Sequence, residues 1–439
     1  MKITSTYSIK IKQYNHIFKN TVVMYRSAVN FFINLCLNEW NEIAQSEFTN
    51  SKQQYVERLC HRTKNRTSVK YDFDSQFYKF PSYLRRSAIN EAIGLVSSYL
   101  SNLTNWSADP IGKGPSAPVA GYAYPFLYKT DMYKRDSMYT AKIKVFIRNT
   151  WDWINVDLKK TDVDYIEHWC KDRNECTPKL QKRGKEWFLD FPFEERVELS
   201  DTPVQDQTIV AVDLGINTPA TVSVMRSDGT VSGRYFCKLP EEQDCLMHSI
   251  NRIKKAQQHG NRHTPKLWAA AKGINDRIAV KTAQFIMDVA IRNNADVIVF
   301  EHLDRKGKKT GSKKQRLHMW RSQYVQRMVA DKAHRTGMHV SHICAWGTSR
   351  FAYDGSGRVL RGREAGFSTN ELCLFQSQKT YNCDLSASYN IGARYFIREL
   401  LKSLPVTARL GVEAKVPQCT RRSTCTLSTL ISLNAVLAA

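Results

Sequence analysis

Three carboxylates stand where apolar segments of this chain end. Asp213 closes an apolar run that begins at Ile209 and gives way to a turn at Gly215. Glu301 lies at the end of the apolar run in "DVIVFEHL", and Asp384 opens the helical segment "DLSASYNIGARYFIREL". A carboxylate beside buried apolar residues costs desolvation energy unless a cation or hydrogen bonds offset it. The three positions are therefore candidates for a site that needs negative charge.

The chemistry that suits these residue types is metal-assisted hydrolysis. Carboxylate oxygens are hard ligands, and three of them with open coordination positions suit Mg²⁺ or Mn²⁺. Two such ions can orient an attacking water and stabilise the leaving oxygen of a phosphodiester. Each aspartate also has a simpler explanation, because Asp213 could cap the turn at "GIN" and Asp384 could interact favourably with a helix dipole.

Strand parity separates the candidates around the second carboxylate. Val297, Val299 and Glu301 share one face of the predicted strand, so the carboxylate emerges as the apolar run ends. His302 points to the other face and is expected to be structural. Asp304 already belongs to the basic loop that follows and is the reserve candidate for Glu301.

The elements that must position these residues follow a polar linker. The patterns predict three strands, a long helical region, the strand at 296–303, a helix, a further strand and a last helix. The carboxylates fall on the first strand, the fourth strand and the last helix. This arrangement is the pattern of the RNase H-like nuclease core.

The N-terminal half has a different pattern. Residues 3–12 alternate apolar and polar side chains and predict a strand, and helical periodicity follows at about 14–48 and 81–106. A segment rich in Pro and Gly at 107–120 precedes further strand-like segments up to about 195. Strands on both sides of a helical insertion predict a β-barrel. The tail from Pro405 has little periodicity and is assigned no fold.

The composition favours a folded protein with a polyanionic partner. The chain of 439 residues has 65 Lys plus Arg and 41 Asp plus Glu, a formal net charge of +24, and 42% hydrophobic residues. These values exclude a disordered chain, and no apolar run is long enough for a membrane span. We therefore expect an intracellular protein with no membrane partner. The 11 cysteines form no CxxC pair and are expected to be reduced thiols.

Two groups of basic residues are candidate nucleic-acid contacts. The segment 305–327 contains no acidic residue and follows Glu301 directly, and it contributes the candidates Lys308, Lys309, Lys313, Lys314 and Arg316. Arg85 and Arg86 lie in the helical region and suit the backbone of a duplex. The alternative for a run of charge is a solvated surface.

Several motifs carry a family resemblance. "VAVDLGIN", "IVFEHL" and "CDLSASYNIGAR" resemble the three RuvC-type motifs of the transposon-encoded TnpB nucleases and of the miniature type V CRISPR effectors. The segment "YDFDSQFYKFPSYLRRSAINEAIG" is also similar to the N-terminal half of the smallest of these effectors. The resemblance covers most of residues 1–403.

The resemblance implies a multidomain α+β fold with a divided organisation. A wedge β-barrel would be interrupted by a helical recognition lobe, and a RuvC nuclease domain would be interrupted by a nucleic-acid-binding insert. The expected boundaries are wedge 1–13, recognition lobe 14–117, wedge 118–195, linker 196–207, RuvC 208–343, insert 344–383, RuvC 384–403 and tail 404–439.

The same resemblance implies RNA-guided cleavage of DNA. Asp213, Glu301 and Asp384 would be the catalytic residues and the ligands of Mg²⁺ or Mn²⁺. The partners would be a guide RNA and double-stranded target DNA, whose strands enter the site as single strands. The guide would pair with the DNA next to a short, T-rich flanking motif. Two alternatives remain open, a guided DNA-binding protein that does not cut and a guide-independent RNase H-like nuclease or recombinase. Monomer and homodimer also remain open.

One departure from the family concerns zinc. Relatives often carry a four-cysteine zinc ribbon in the insert, beginning after a "TS" pair. Here the pair is Thr348 and Ser349, but Ala352 and Gly355 stand at the first two ligand positions. Of the second cysteine pair Cys373 remains, and Gln376 stands at the position of its partner cysteine. We therefore expect no structural zinc.

Overall fold

The computed structural model describes residues 1–13, 16–110, 112–128, 130–261, 263–303, 320–421 and 423–439. The chain divides into two compact units, an N-terminal unit, Lys2–Arg196, and a C-terminal unit, Val197–Ala439, with which Met1 is grouped. Both units contain helices and strands, so the prediction of a multidomain α+β protein is confirmed. No helix among the described residues is both long and apolar enough to cross a membrane.

The N-terminal unit combines helices with short antiparallel sheets. Its helices are α1 (His16–Asn38), α2 (Trp40–Ala44), α3 (Thr49–Cys60), α4 (Phe73–Gln76), α5 (Ser82–Ala108) and α6 (Lys160–Trp169). Its strands are β1 (Lys2–Lys10), β2 (Tyr133–Arg135), β3 (Thr140–Ile147), β4 (Thr150–Asp157), β5 (Asn174–Glu175), β6 (Lys179–Arg183) and β7 (Glu186–Arg196).

Helix α1 shows why this sequence forms its core. Apolar residues recur every three or four positions, so they share one face of the helix. Val22, Tyr25, Val29, Phe32 and Cys36 are all buried in one cluster with residues of α5 and of the strands. The periodicity in the sequence therefore marks the buried face of α1.

The strands of this unit do not close into a barrel within the described residues. β1, β5 and β6 each pair with β7, whereas β2, β3 and β4 form a separate sheet. The bridge between Ile11 and Leu158, which directly follow β1 and β4, links the two sheets. The predicted barrel is therefore corrected to two open sheets around one core. Alternating sequence patterns reveal strands but not which strands pair over a long distance.

The C-terminal unit is built around a five-stranded sheet. Its strands are β8 (Thr208–Asp213), β9 (Ala220–Arg226), β10 (Val231–Cys237), β11 (Val297–His302) and β12 (His339–Cys344), in the order β10-β9-β8-β11-β12. β8, β9 and β10 are antiparallel, while β11 runs parallel to β8 and β12. The helices are α7 (Pro240–Gln258), α8 (Pro265–Arg292), α9 (Ser322–Arg335), α10 (Cys383–Ser403), α11 (Val406–Lys415) and α12 (Leu427–Ala438).

Helices cover both faces of this sheet. Val210, Val212, Ile298 and Phe300 face a cluster formed with α8 and α9. The alternate residues of the same strands, with Ile209 as an example, face α10 and the C-terminal segment. β8 and β11 are therefore apolar on both sides, as central strands of a three-layer structure must be.

The remaining segments complete the unit. β13 (Leu360–Arg361), β14 (Leu372–Leu374) and β15 (Thr380–Asn382) form a small antiparallel sheet before α10, with a short 3-10 helix at Gly362–Ala365. The tail, to which the sequence assigned no fold, forms α11, a 3-10 turn at Pro417–Thr420 and α12, and Leu427, Leu430 and Leu433 are buried. All 11 cysteines are free thiols.

Candidate active site

The register of β8 and β11 determines where Asp213 and Glu301 lie. Val212 is opposite Phe300 in this parallel pair, and each carboxylate is the next residue in its strand. Facing residues of parallel strands point to the same side of a sheet, and the preceding residues of that parity face α10. Asp213 and Glu301 therefore lie at the same edge of the sheet and on its α10 side.

Asp384 reaches this edge from α10. It is the second residue of the helix, and α10 packs directly on β8 and β11. The N-cap of the helix is Asn382, whose side chain accepts a hydrogen bond of 2.9 Å from the Leu385 amide. The capping role is thus filled by Asn382, and the Asp384 carboxylate is free for another function.

Two of the carboxylates act electrostatically on the third, Asp213. Burial raises the pKa of Asp213 well above its usual range, and the charges of Glu301 and Asp384 raise it further. Burial also raises the pKa of Glu301 and of Asp384. Repulsion between carboxylates acts in this way only at short range. Glu301 and Asp384, which are far from Asp213 in the sequence, therefore lie near enough to act on its charge.

Two arginines oppose this accumulation of negative charge. Arg361 lowers the pKa of both Asp213 and Asp384, and Arg394 lowers that of Glu301. In both aspartates and in the glutamate the raising effects remain larger. Burial and repulsion therefore disfavour the charged form of each carboxyl group, and a bound cation would offset this effect.

The donor set suits a divalent cation. Each carboxylate is partly accessible to solvent, although the four residues before it in β8 and in β11, and most of the first turn of α10, are buried. No described residue donates a hydrogen bond to Asp213 or Asp384. In the described parts of the chain, however, no three His, Cys, Asp or Glu side chains converge as a ready metal cluster. The residue types and their charge fit Mg²⁺, while a closed ligand cage is not present.

Two functional candidates were missed by sequence reasoning. Thr348 is buried, and its hydroxyl donates a hydrogen bond to Oε1 of Glu301. Arg361 donates to the Ser349 carbonyl and faces two of the carboxylates. Both lie in the irregular stretch after β12, where no periodicity predicts direction. The sequence signal for Thr348 is the "TS" pair, which in the family precedes the zinc ligands.

The predicted nucleic-acid contacts have different outcomes. Arg85 is buried and forms an ion pair of 2.8 Å with Glu57, so it is occupied inside the fold and is withdrawn as a contact. Arg86 is solvent-exposed, with its guanidinium 5.8 Å from the Tyr83 ring centre. The residues Asp304, Lys308, Lys309, Lys313, Lys314 and Arg316 lie outside the described part of the chain.

Comparisons with curated proteins bear on the resemblance. The TnpB-like protein aq_aa05 of Aquifex aeolicus (strain VF5) is 23% identical over 275 residues, which make up 54% of this chain and 84% of the relative. The chain is similar to a TnpB-like protein. The resemblance to this family, drawn from the RuvC-type motifs, is confirmed at that level.

A second relationship concerns the N-terminal unit. The model of the Aq_aa04 family matches residues 5–147. The uncharacterized protein aq_aa04 of Aquifex aeolicus (strain VF5) is 50% identical over 50 residues, which are 11% of this chain and 28% of that protein. The match therefore spans well under two thirds of this relative.

Solved structures of type V effectors are also similar to the chain. A chain of the Cas12f1–sgRNA–target DNA complex matches with a TM-score of 0.34 and 15% identity, covering 89% of this chain and 98% of that chain. A chain of the Cas12i–crRNA–dsDNA complex matches with a TM-score of 0.38 and 10% identity, covering 92% of this chain and 63% of that chain.

Proposed function

We propose that this protein is an RNA-guided DNA endonuclease with one RuvC-type active site. The observation that carries the proposal is the meeting of Asp213, Glu301 and Asp384 at one edge of the five-stranded sheet, in a chain similar to a TnpB-like protein. The strand order, with β8 at the centre, suits an RNase H-like core at 208–343 and 384–403. The insert would be 344–383, and the wedge and recognition lobe would lie in the N-terminal unit.

The chemistry proposed is hydrolysis of a phosphodiester with Mg²⁺ or Mn²⁺. When bound, two such ions supply an activated water and stabilise the leaving oxygen. Asp213 and Glu301 would hold them from adjacent parallel strands, and Asp384 from the first turn of α10. Arg361, whose charge already acts on two of these carboxylates, is placed to meet the phosphate of the strand being cut.

The partners proposed are a guide RNA and double-stranded DNA. The net charge of +24 favours binding to the phosphates of nucleic acids, and sequence would be recognised by base pairing with the guide. Arg86 and the basic residues of 305–327 are the proposed backbone contacts. The short flanking motif, T-rich by family resemblance, would be read by the protein itself.

The two alternatives make different demands on the site. A guided binding protein that does not cut has no use for three carboxylates at the ends of buried segments, because burial raises the pKa of each and this costs stability without a cation. A guide-independent nuclease would need the carboxylates but no RNA. Sequencing of RNA that co-purifies with the full chain distinguishes it, since the proposal expects one defined RNA species.

The catalytic assignment predicts that cutting and binding separate. Asp213→Ala, Glu301→Ala and Asp384→Ala should each lower the cleavage rate by several orders of magnitude, because each removes a ligand and its charge. Target binding with guide RNA should be unchanged. Gel shift and cleavage in Mg²⁺, measured on the same preparations, check both results.

The matched control is Asp206→Ala, which changes an exposed aspartate of the same unit. It should cut at the wild-type rate. If a carboxylate variant cuts as fast as this control, its residue does not belong to the site. If that variant is Glu301→Ala, Asp304 becomes the candidate in place of Glu301. Wild-type protein that binds a guided target but never cuts it would favour the first alternative.

A further inference from the structure

Within the described parts of the chain, a side chain donates a hydrogen bond to Glu301, and none does so to Asp213 or Asp384. Oγ1 of Thr348 donates to its Oε1, and Thr348 itself is 2% exposed. The hydroxyl carries a single hydrogen, and the Ala345 carbonyl, 3.0 Å away, is the second acceptor within reach. A carboxylate is the stronger acceptor, so the hydrogen goes to Glu301 when that group is ionised.

The position of Thr348 is fixed by Asn390 of α10. Asn390 is fully buried, and its Nδ2 donates to the carbonyls of Thr348 at 2.9 Å and Phe351 at 2.8 Å. Its Oδ1 accepts from the Leu427 amide at 3.2 Å. Both amide hydrogens and the oxygen are therefore used, and the side chain joins the turn that carries Thr348 to the C-terminal segment.

Arg394 repeats this connection one helical turn later. It is 5% exposed, and four hydrogen bonds run from its guanidinium to backbone carbonyls. Two of these belong to the start of the same turn, Cys344 and Trp346, both at 2.8 Å. The others belong to the C-terminal segment, Cys425 at 3.0 Å and Ser423 at 2.6 Å. Residues four apart lie on the same face of a helix, so α10 holds the turn and the tail together at two points.

We propose that Thr348 is a positioning residue, which orients the Glu301 carboxylate for its cation, and that α10 and the C-terminal segment hold Thr348 in place. The role rests on the proposed function. Glu301 has one more rotatable bond than Asp213 or Asp384, so it has more conformations to lose. With Oε1 held by Thr348, Oε2 remains available to a metal ion. Groups that orient a metal ligand in this way typically change metal affinity or activity by about 10–100-fold.

The position of Thr348 also explains the "TS" pair without zinc. The threonine lies at the end of the turn that leads from β12 into the insert, and its hydroxyl points back to β11. The sequence 423–427, which contributes no catalytic group, becomes part of the active-site support through Asn390 and Arg394.

The test compares Thr348→Val, which keeps the branched shape but replaces the hydroxyl by a methyl group, with Thr348→Ser, which keeps the hydroxyl. Thr348→Val should lower kcat by about 10–100-fold, raise the Mg²⁺ concentration for half-maximal cleavage and leave target binding unchanged. Thr348→Ser should remain within a few-fold of wild type. Binding of Mn²⁺ by the uncut complex, measured by calorimetry, should weaken in Thr348→Val alone.

A buried threonine elsewhere in the unit provides the control. Thr282 is 1% exposed and donates a 2.7 Å hydrogen bond to the Ile278 carbonyl within α8. Thr282→Val therefore removes a comparable buried hydroxyl at a distance from the carboxylates. Its melting temperature should fall about as much as that of Thr348→Val, while its kcat and Mn²⁺ affinity should be those of wild type.

The outcomes separate this role from the proposed function. The positioning role is wrong if Thr348→Val cuts and binds Mn²⁺ like Thr282→Val, or if Thr348→Ser does not recover activity. Wild-type protein that binds Mn²⁺ but does not cut contradicts the nuclease proposal, and the Mn²⁺ affinities still test Thr348. Wild-type protein that neither cuts nor binds Mn²⁺ overturns both.

Discussion

Arg85 and Arg86 are adjacent in sequence but have different environments. The helix turns by about 100° per residue, so one guanidinium points into the core and the next points to solvent. Arg85 pairs with Glu57 at 2.8 Å, with side-chain exposures of 6% and 14%, whereas the Arg86 side chain is 48% exposed and its Nε lies 3.5 Å from the same carboxylate. The first is a structural ion pair, and the second is accessible to a phosphate.

These environments predict opposite effects of mutation. Arg85→Ala removes the closer partner of Glu57, whose side chain is 14% exposed, and should lower the free energy of unfolding by about 2 kcal/mol. Arg86→Ala should keep that stability but weaken nucleic-acid binding, with the salt dependence reduced by about one phosphate contact. Urea denaturation and binding across a salt series measure the two effects. Equal stability of both variants would contradict the assignment of Arg85.

At the level of single residues, the sequence could predict carboxylates but not their supports. Asp213 and Glu301 are predictable because each ends an apolar run. The alternation of side chains along the strand also predicts the face of the sheet on which Glu301 lies. The sequence alone does not show whether Asp384 caps its helix. The structure shows that Asn382 is the N-cap. The bond from Thr348 to Glu301 joins residues 47 positions apart, so only tertiary structure shows it.

At the level of elements, the first residues of the central strands are held by Asp296. This carboxylate, directly before β11, accepts hydrogen bonds from the hydroxyls of Ser200 and Thr202, both at 2.7 Å, and from the Thr208 amide at 2.9 Å. Burial alone would raise the pKa of Asp296, but these hydrogen bonds outweigh it, and the pKa is lowered. Asp296 therefore ties the linker and the start of β8 to β11.

The lowered pKa predicts a stability difference that depends on pH. Asp296→Asn should lower the free energy of unfolding by about 2 kcal/mol at pH 7, because a charged acceptor of three hydrogen bonds is lost. The contribution of Asp296 is complete above its unfolded pKa of about 3.9 and is lost as the pH falls through the lower folded pKa.

Urea denaturation of wild type and Asp296→Asn at pH 7, 5 and 3 measures this difference. The gap between the two proteins should be the same at pH 7 and 5 and smaller at pH 3. Asp206→Asn, at an exposed position, is the control and should show no gap. A difference that stays constant at all three pH values would mean that the charge of Asp296 does not matter.

Sequence patterns predicted the helices and strands that are buried on one face only or on both faces. α1 has an apolar face, and β8 and β11 are short apolar runs. α12 was missed because apolar residues such as Ile431 also lie on its exposed side and hide the spacing of Leu427, Leu430 and Leu433. The barrel was wrong because strand pairing between distant segments leaves no local signal.

The insert shows how side chains can take the place of expected metal ligands. Ala352 and Cys373 are buried with Val359 and Phe375 in one apolar cluster. Ser377 donates a 2.6 Å hydrogen bond to Asp354, which joins the turn after Ala352 to the turn after β14. These contacts give the insert a core built from its own side chains, and the absence of structural zinc remains our expectation.

At the level of the whole molecule, the basic residues fall into two groups. One group is neutralised by ion pairs within the protein, and the other contains the candidate contacts to nucleic acid. Many lysines are already paired, such as Lys2 with Glu194 at 2.8 Å and Lys159 with Asp162 at 2.9 Å. Paired surface lysines contribute little to stability and release few counterions on binding, since their charge is compensated. The segment 305–327, which contains no acidic residue, is the better candidate for holding a DNA strand.

The last prediction tests this difference with equal changes of net charge. Replacing Lys308, Lys309, Lys313 and Lys314 by Gln should slow cleavage and flatten the dependence of log affinity on log salt by about 0.7–0.9 per lost phosphate contact. The control replaces four lysines that are ion-paired in the structure: Lys2, Lys70, Lys159 and Lys281. Both variants lose four charges, so a general effect of net charge would change both slopes alike. A flatter slope in the first variant alone would assign the effect to the segment beside Glu301, whereas equal slopes would show that these lysines are only a solvated surface.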